Sequence, residues 1–388
     1  MKKCIGTCVV VLLVCCLSSC AKFDDYMLGK DNSPVPKQLK SFDSQVKMTK
    51  KWIVAIGKGQ KNSTYFRLKP LLSGHTIFVA DMDGQFDAIN KNTGKVIWSY
   101  KTPYAFISGP TLGDGILLVT TNNSQLVAYS AKDGHQLWHQ KLSGDVLASP
   151  IIAKNQVIAK SIDGNLYSFS IKQGKKLWQL EHGSPSLVLK ASSSPVMMNG
   201  HTVLVGYSDG KLDAVDIDTG HVLWQRSIVY ATGSSDVERL IDIDADPIIS
   251  GNHVFLGSYQ GSVGGVSLED GQFIWRRPAS IFKNMILKDN VIYFTDSHDV
   301  IWAIDKRNGQ VNWKQPALKA RNLTEPALQG NRLFVGDQTG LLHGLDTSTG
   351  QLIMRVPVKG AVYVAPLISG KQIFVLTAAG ELSCYQVN

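Results

Sequence analysis

The side chains best suited to covalent chemistry are unevenly placed along this chain. Gly206-Tyr207-Ser208-Asp209-Gly210 has the G-x-S-x-G spacing of a serine nucleophile. That chemistry needs a sharp strand-to-helix turn that exposes the hydroxyl. The segment instead holds the register of a hairpin turn in a repeated pattern, equivalent to Asp83-Gly84. His135 and His139 are four apart, but they flank a turn and a Trp-bearing strand rather than sharing a helix face, and no carboxylate stands ready to help them bind metal. No H-E-x-x-H, P-loop or G-x-G-x-x-G run is present. Five of the six cysteines (Cys4, Cys8, Cys15, Cys16 and Cys20) fall in the first 20 residues, and only Cys384 lies in the body. Neither a disulfide framework nor a cysteine metal cluster is expected from that distribution. We expect no catalytic residue, no metal and no cofactor.

Cys20 is the exception. Met1-Lys2-Lys3 is a short positive stretch, and Cys4 to Leu17 is an almost uninterrupted apolar run of 14 residues. A spanning helix needs roughly 20, so residues 1–19 read as a signal peptide. The run ends in Leu17-Ser18-Ser19-Cys20, which resembles a bacterial lipobox. The resemblance implies a diacylglyceryl group on the Cys20 thiol and an acyl chain on its freed amine. Three chains would anchor the protein firmly, because stable anchoring takes two or more and each buried CH₂ contributes roughly 0.8 kcal/mol. Ala21, not Asp, follows the cysteine. By resemblance to enterobacterial lipoproteins, that implies sorting to the outer membrane, facing the periplasm. Residues 20–48 are polar, with Pro34 and Pro36, and read as a lipidated flexible tether.

The elements behind these residues are legible as a repeat. Hydrophobic residues make up 44%, charged residues only 18%, and there are 35 glycines in 388 residues. This balance suits many short strands joined by tight turns and excludes a coiled coil. Gly stands four residues before Trp at Trp98, Trp138, Trp178, Trp224, Trp275 and Trp313, and before Met354 in the same register. Successive spacings are 40, 40, 46, 51, 38 and 41 residues. Upstream of each, segments such as Asp83-Gly84-Gln85-Phe86-Asp87-Ala88 and Asp209-Gly210-Lys211-Leu212-Asp213-Ala214 align, giving eight copies. A Pro opens every copy except the sixth. Each unit reads as four strands, the third alternating Phe86/Ala88 against Gln85/Asp87. Four strands per roughly 40–45 residues is the signature of a propeller blade. We therefore expect an all-β, eight-bladed β-propeller over residues 49–388, with four antiparallel strands per blade.

The eighth copy stops at Asn388, after its third strand, while an orphan Trp strand lies around Lys51-Trp52-Ile53-Val54. The N-terminal strand is therefore expected to complete the last blade and remove an open edge. The Trp side chains are expected to pack between blades, each contributing roughly 2–3 kcal/mol. Loss of Lys2 and Lys3 with the signal peptide leaves a net charge of +7, scattered rather than clustered. Such scattering argues against nucleic-acid binding.

Two neighbouring inter-blade connections are long, one after Trp178 (181–190) and one after Trp224 (230–244). They join equivalent strands of successive blades and should emerge side by side. Leu187, Val188 and Leu189 stand beside Lys190 in the first, and Asp242 and Asp244 in the second. An apolar centre rimmed by charge is how a protein-binding patch is built. The spacing Ser235-x-x-Glu238 predicts one short helical turn.

These residues carry two resemblances. Ala214-Val215-Asp216…Gly220…Trp224 and Ala303-Ile304-Asp305…Gly309…Trp313 resemble the repeat of pyrroloquinoline quinone dehydrogenases. A periplasmic quinoprotein dehydrogenase is accordingly the alternative reading. Its vicinal cysteines have no counterpart in the body, since Cys15-Cys16 lies in the signal peptide, and no Asp, Glu and Asn cluster stands out as a calcium site. The run Ala231-Thr232-Gly233-Ser234…Glu238-Arg239-Leu240…Asp242-Ile243-Asp244…Pro247, on an eight-blade lipoprotein, closely resembles the BamB family. Its members are lipoprotein subunits of the outer-membrane β-barrel assembly (BAM) machine. The resemblance covers essentially the whole mature chain. It implies a non-catalytic scaffold that docks on the periplasmic POTRA domains of BamA, with nascent outer-membrane proteins as further partners. The contacts it implies are Leu187, Leu189, Lys190, Asp242 and Asp244. Family members often carry Arg where Lys190 stands here; Lys offers a point charge in place of a bidentate fork.

Overall fold

The computed structural model describes residues 34–59, 67–183, 192–228, 243–259 and 261–387. The expected signal peptide and Cys20 lie outside them. Among the described residues there is no helix; they form eight sheets of four antiparallel strands, one of which gains a short fifth, parallel strand. Blade 1 comprises Leu71–Ser73, Thr76–Ala80, Gln85–Asn90 and Val96–Lys101, ordered from inner to outer strand. Blades 2 to 7 repeat the plan, their outer strands being Gln136–Lys141, Lys176–Glu181, Val222–Ser227, Phe273–Pro278, Val311–Gln315 and Leu352–Pro357. Blade 8 takes three strands from the C-terminal end. Its fourth is Met48–Ala55, paired antiparallel with Glu381–Val387 so that Trp52 faces Cys384. The ring closes as the sequence requires.

What holds blade to blade is the Trp of one unit and the Gly of the next. Trp52, Trp98, Trp138, Trp178, Trp275 and Trp313 each donate the indole N–H to a backbone carbonyl of the following blade, at 2.6–3.1 Å. Each ring lies on the glycine of the following repeat. A Cβ at Gly174 would meet Trp138 at 2.5 Å, and φ there is +66°. The Gly-x-x-x-Trp spacing thus records two different contacts, one with each neighbour. The fourth interface differs, since Arg226 and not Trp224 covers Gly271, its guanidinium 5.7 Å from the Trp224 ring. Met354, wholly buried, serves the seventh interface.

Two sequence expectations change. The third strands do not alternate between core and solvent. Gln85–Asn90, Gln125–Ser130, Asn165–Ser170 and Lys211–Asp216 are buried on both faces, because neighbouring blades cover each sheet twice. Asp87 is therefore interior, and burial pushes its carboxyl above the ordinary range against hydrogen bonds from Ser99 and Gln85. The tether is also shorter than its composition suggests. Residues 37–47 lie on the ring: Lys37 N–H donates to the Lys319 carbonyl at 3.0 Å, Leu39 packs on blades 6 and 7, and Val46 is buried.

Trp138→Ala is expected to cost about 3 kcal/mol or more, from lost burial and the cavity left behind. Gly174→Ala should act in the same direction through steric conflict and a left-handed backbone. Chemical denaturation of both variants against the parent checks this.

Candidate functional site

Every inter-blade connection joins an outer strand to the next inner strand. Three are long: 56–70, 182–195 and 228–247, at 15, 14 and 20 residues against 4 to 11 elsewhere. The second and third are those expected from the sequence. The first is a further one, from blade 8 into blade 1. Once Trp52 is assigned to blade 8, the stretch that opens with Gly57-Lys58-Gly59 and runs to Pro70 has to be a connection.

The described ends of these three connections meet at Arg67. Arg67-Leu68 pairs parallel with Ser108-Gly109 of blade 2, and the Arg67 side chain is only 3% exposed. Its Nη1 donates to Ser194 Oγ at 3.2 Å and to the Asp246 carboxylate; its Nη2 donates to the Asp244 carbonyl at 2.6 Å. The Ser194 N–H donates to Asp246 Oδ1 at 2.6 Å. Arg67 thus ties the inner strand of blade 2 to the roots of the other two connections, at blades 4 and 5.

The partners share one repeat position, the residue before the inner-strand Pro. It is Lys69 in blade 1, Ser194 in blade 4, Asp246 in blade 5, Glu325 in blade 7, and Asn284 at the Pro-less blade 6. Asn284 Nδ2 donates to Asp246 Oδ2 at 2.6 Å, the Asp246 N–H donates to Asn284 Oδ1 at 2.9 Å, and Lys69 pairs with Glu325. Burial would raise the Asp246 carboxyl, but the charges of Arg67 and Lys69 outweigh it and hold it below the ordinary range. A buried charge is tolerable only when paired in this way.

The root of 182–195 has its own clamp. His182 donates one ring N–H each toward Asp213 at 2.9 Å and Asp209 at 3.2 Å, and stacks on Tyr207 with centroids 3.5 Å apart. Burial would lower the imidazole, but the hydrogen bonds and charges of the two carboxylates push it up to about 9. Burial would raise Asp209, and the bonds from His182 and Lys211 bring it down to about 2. The G-x-S-x-G segment thus supplies one carboxylate, Asp209, and the stacking Tyr207 to a histidine clamp, and its turn is a hairpin.

Leu187, Leu189, Lys190, Asp242 and the helical turn expected at Ser235 to Glu238 lie outside the described residues. Asp244 lies inside them and is corrected: it is 0% exposed, its carbonyl held by Arg67. Ile243 is buried and bridges Ser258 of blade 5, so the chain is already inside the ring at Asp244. Arg67 escaped sequence reasoning because a single arginine in a polar stretch carries no periodic signal.

A family model described as outer membrane protein assembly factor BamB matches residues 105–315 and 317–388. The outer membrane protein assembly factor BamB of Legionella pneumophila (strain Paris) is 57% identical over 381 residues, 98% of this chain and 99% of that one. The crystal structure of BamB from Moraxella catarrhalis superimposes with a TM-score of 0.79 at 23% identity, covering 88% of this chain and 100% of that one. The quinohemoprotein alcohol dehydrogenase from Comamonas testosteroni shares the fold, with a TM-score of 0.68 at 14% identity, covering 87% and 76%.

The His182 clamp has a definite pH signature. A folded pKa raised from 6.5 to about 9 adds stability that is fully present below about 6.5 and lost as pH rises through 9. The Asp209 side is present above about 4 and lost as pH falls through 2. His182→Gln is expected to lower stability by on the order of 2 kcal/mol at pH 6, with parent and variant converging above pH 9. Unfolding midpoints from pH 5 to 10 measure this; parallel curves would contradict it.

Proposed function

This chain belongs to the BamB family of outer membrane protein assembly factors, and on that premise we propose that it is a non-catalytic scaffold docking on the POTRA domains of BamA. In this reading acylated Cys20 anchors it to the outer membrane, facing the periplasm, and it supports folding and insertion of β-barrel proteins. The observation that carries the reading is the shared root of the two long connections. Ser194 and Asp246 are bonded to each other and to Arg67, so the described ends of 182–195 and 228–247 enter the ring from one shared base. A shared base lowers the ordering cost of a binding surface built from both connections, which favours docking. Leu187, Leu189, Lys190 and Asp242 are the contacts proposed on it, and Asp244 supports it from within.

The same base speaks to the quinoprotein alternative. A cofactor seated at this end of the axis would have to displace Arg67 from Ser194, Asp244 and Asp246. The residues present do not fit such a group, and the likeness to the alcohol dehydrogenase extends to fold alone.

Pull-down from detergent-solubilised membranes should recover BamA with the parent chain. Leu187→Glu and Asp242→Lys are each expected to cut recovery about tenfold, equivalent to about 1.4 kcal/mol; undiminished recovery with both would remove the site. Cys20→Ser should move the protein into the soluble periplasmic fraction, and persistent membrane association would refute the anchor.

A further inference from the structure

Each outer strand carries a β-bulge at one repeat position, the residue before the Trp. In blade 1, Trp98 pairs with Ala88 and Val96 with Ile89, which leaves Ile97 as the extra residue. The same slip leaves Leu137, Leu177, Leu223 and Ile274 extra in blades 2 to 5. In blades 6, 7 and 8 the position is Asn312, Ile353 and Lys51. A bulge on an edge strand interrupts the ladder another chain could extend, and re-aims one side chain.

The side chains so aimed are of two kinds. Asn312 and Lys51 are what edge protection calls for. Ile97, Leu137, Leu177, Leu223 and Ile274 are not: they are 53%, 48%, 47%, 55% and 42% exposed. Packing does not demand them, because Asn and Lys stand at the same position elsewhere in the ring. Apart from Val35, every exposed large apolar side chain among the described residues lies on an outer strand of blade 8 or blades 1–5.

Blade 7 shows what the position receives. Ile353 is only 8% exposed because residues 37–47 lie over it. The Gln45 N–H donates to the Ile353 carbonyl at 2.8 Å, and Val46 packs in the cluster that holds Ile353 and Met354. Arg355 clamps the same segment, donating to the Lys40 carbonyl at 3.0 Å with its guanidinium 4.9 Å from the Phe42 ring. The covering chain makes one main-chain bond at the bulge and sets an apolar side chain on the aliphatic one.

We propose that the bulges of blades 1–5 form a row of equivalent docking points for extended polypeptide, each bound as blade 7 binds residues 44–46. The occupant is an unfolded segment with alternating apolar and polar residues, the pattern of a β-barrel strand. The assignment of that occupant rests on the assembly role above. A flat membrane is a poor match, because five consecutive blades of eight wrap half the ring and a plane touches only part of it. Single points bind weakly, and several along one chain multiply the effect through effective concentration.

The test uses the full mature chain with Cys20→Ser and a fluorescent eight-residue peptide alternating Val and Gln, read by anisotropy. Replacing all five aliphatic residues by Asn, as in blade 6, should weaken peptide binding at least tenfold while BamA recovery is unchanged. Asn312→Leu should tighten it. A peptide of the same composition with its Val residues in one block should bind less well. Equal binding by parent and five-site variant, equal binding of the two peptides, or binding only to phosphatidylglycerol vesicles would each overturn the proposal. Should the five-site variant fail to fold by near-ultraviolet circular dichroism, a photoreactive peptide on the parent decides. Cross-links at the bulge strands of blades 1–5 support the proposal, and cross-links elsewhere overturn it. Failure of the parent chain to recover BamA, with its peptide binding intact, would count against the BamA docking surface alone.

Discussion

A ring of eight sheets stands only if each sheet grips the next and the eighth grips the first. Both demands fall on the outer strand. Its Trp reaches the following blade, where a glycine with positive φ leaves room for the ring and a carbonyl takes the indole N–H. The hydrogen bond matters as much as the area, because a buried indole N–H without a partner would give back much of what burial contributes. Since the contact joins successive repeats, its geometry must recur, and this is why Gly and Trp keep a fixed spacing while the connections vary in length. Where Trp224 yields its place on the glycine to Arg226, the joint survives through the alkyl chain and the stacked guanidinium, a substitution of shape rather than of chemistry.

Closure by the N-terminal strand has a consequence at the axis. With Met48–Ala55 placed in blade 8, the chain must pass from the outer rim to the inner strand of blade 1. That passage is the 56–70 connection, and it delivers Arg67 to the roots of the other two long connections. The guanidinium replaces the water that three groups would otherwise need, and its charge is balanced by Asp246. The base shared by the ends of the three long connections is therefore a by-product of how the ring is sealed. The histidine clamp at His182 fixes the start of the 182–195 connection on blade 4, with a charge held by two carboxylates.

Repeat register, blade number, the role of Trp52 and the two long connections are legible from residue spacing alone, because they are properties of one chain direction. What is not legible depends on neighbours in space. Asp87 and Asp213 look like solvent-facing positions by period two, yet each is covered by the adjoining blade. Asp244 reads as half of an acidic surface pair, but it follows the buried Ile243 into the ring and is itself buried, while Asp242 falls outside the described residues. Residues 37–47 have a tether's composition, and only the blade 7 bulge gives them something to hold. Arg67 has no pattern at all; its meaning comes from a partner 179 positions away.

The bulge shows how a repeat protein differentiates without changing its backbone. All eight outer strands make the same slip, so edge protection is inherited by the architecture and leaves the protruding side chain free to vary. Lysine or asparagine there repels an incoming strand by charge or hydration. An aliphatic residue does the reverse, offering apolar area beside an interrupted ladder that cannot propagate into a fibril. Binding at such a point is limited to a few residues and stays reversible, which suits a surface that must release what it holds. Blade 7, bound by the chain's own segment, marks the boundary between the two kinds of rim: polar tips at blades 6 and 8 flank the occupied point, and the aliphatic tips begin at blade 1, one blade beyond the strand that seals the ring.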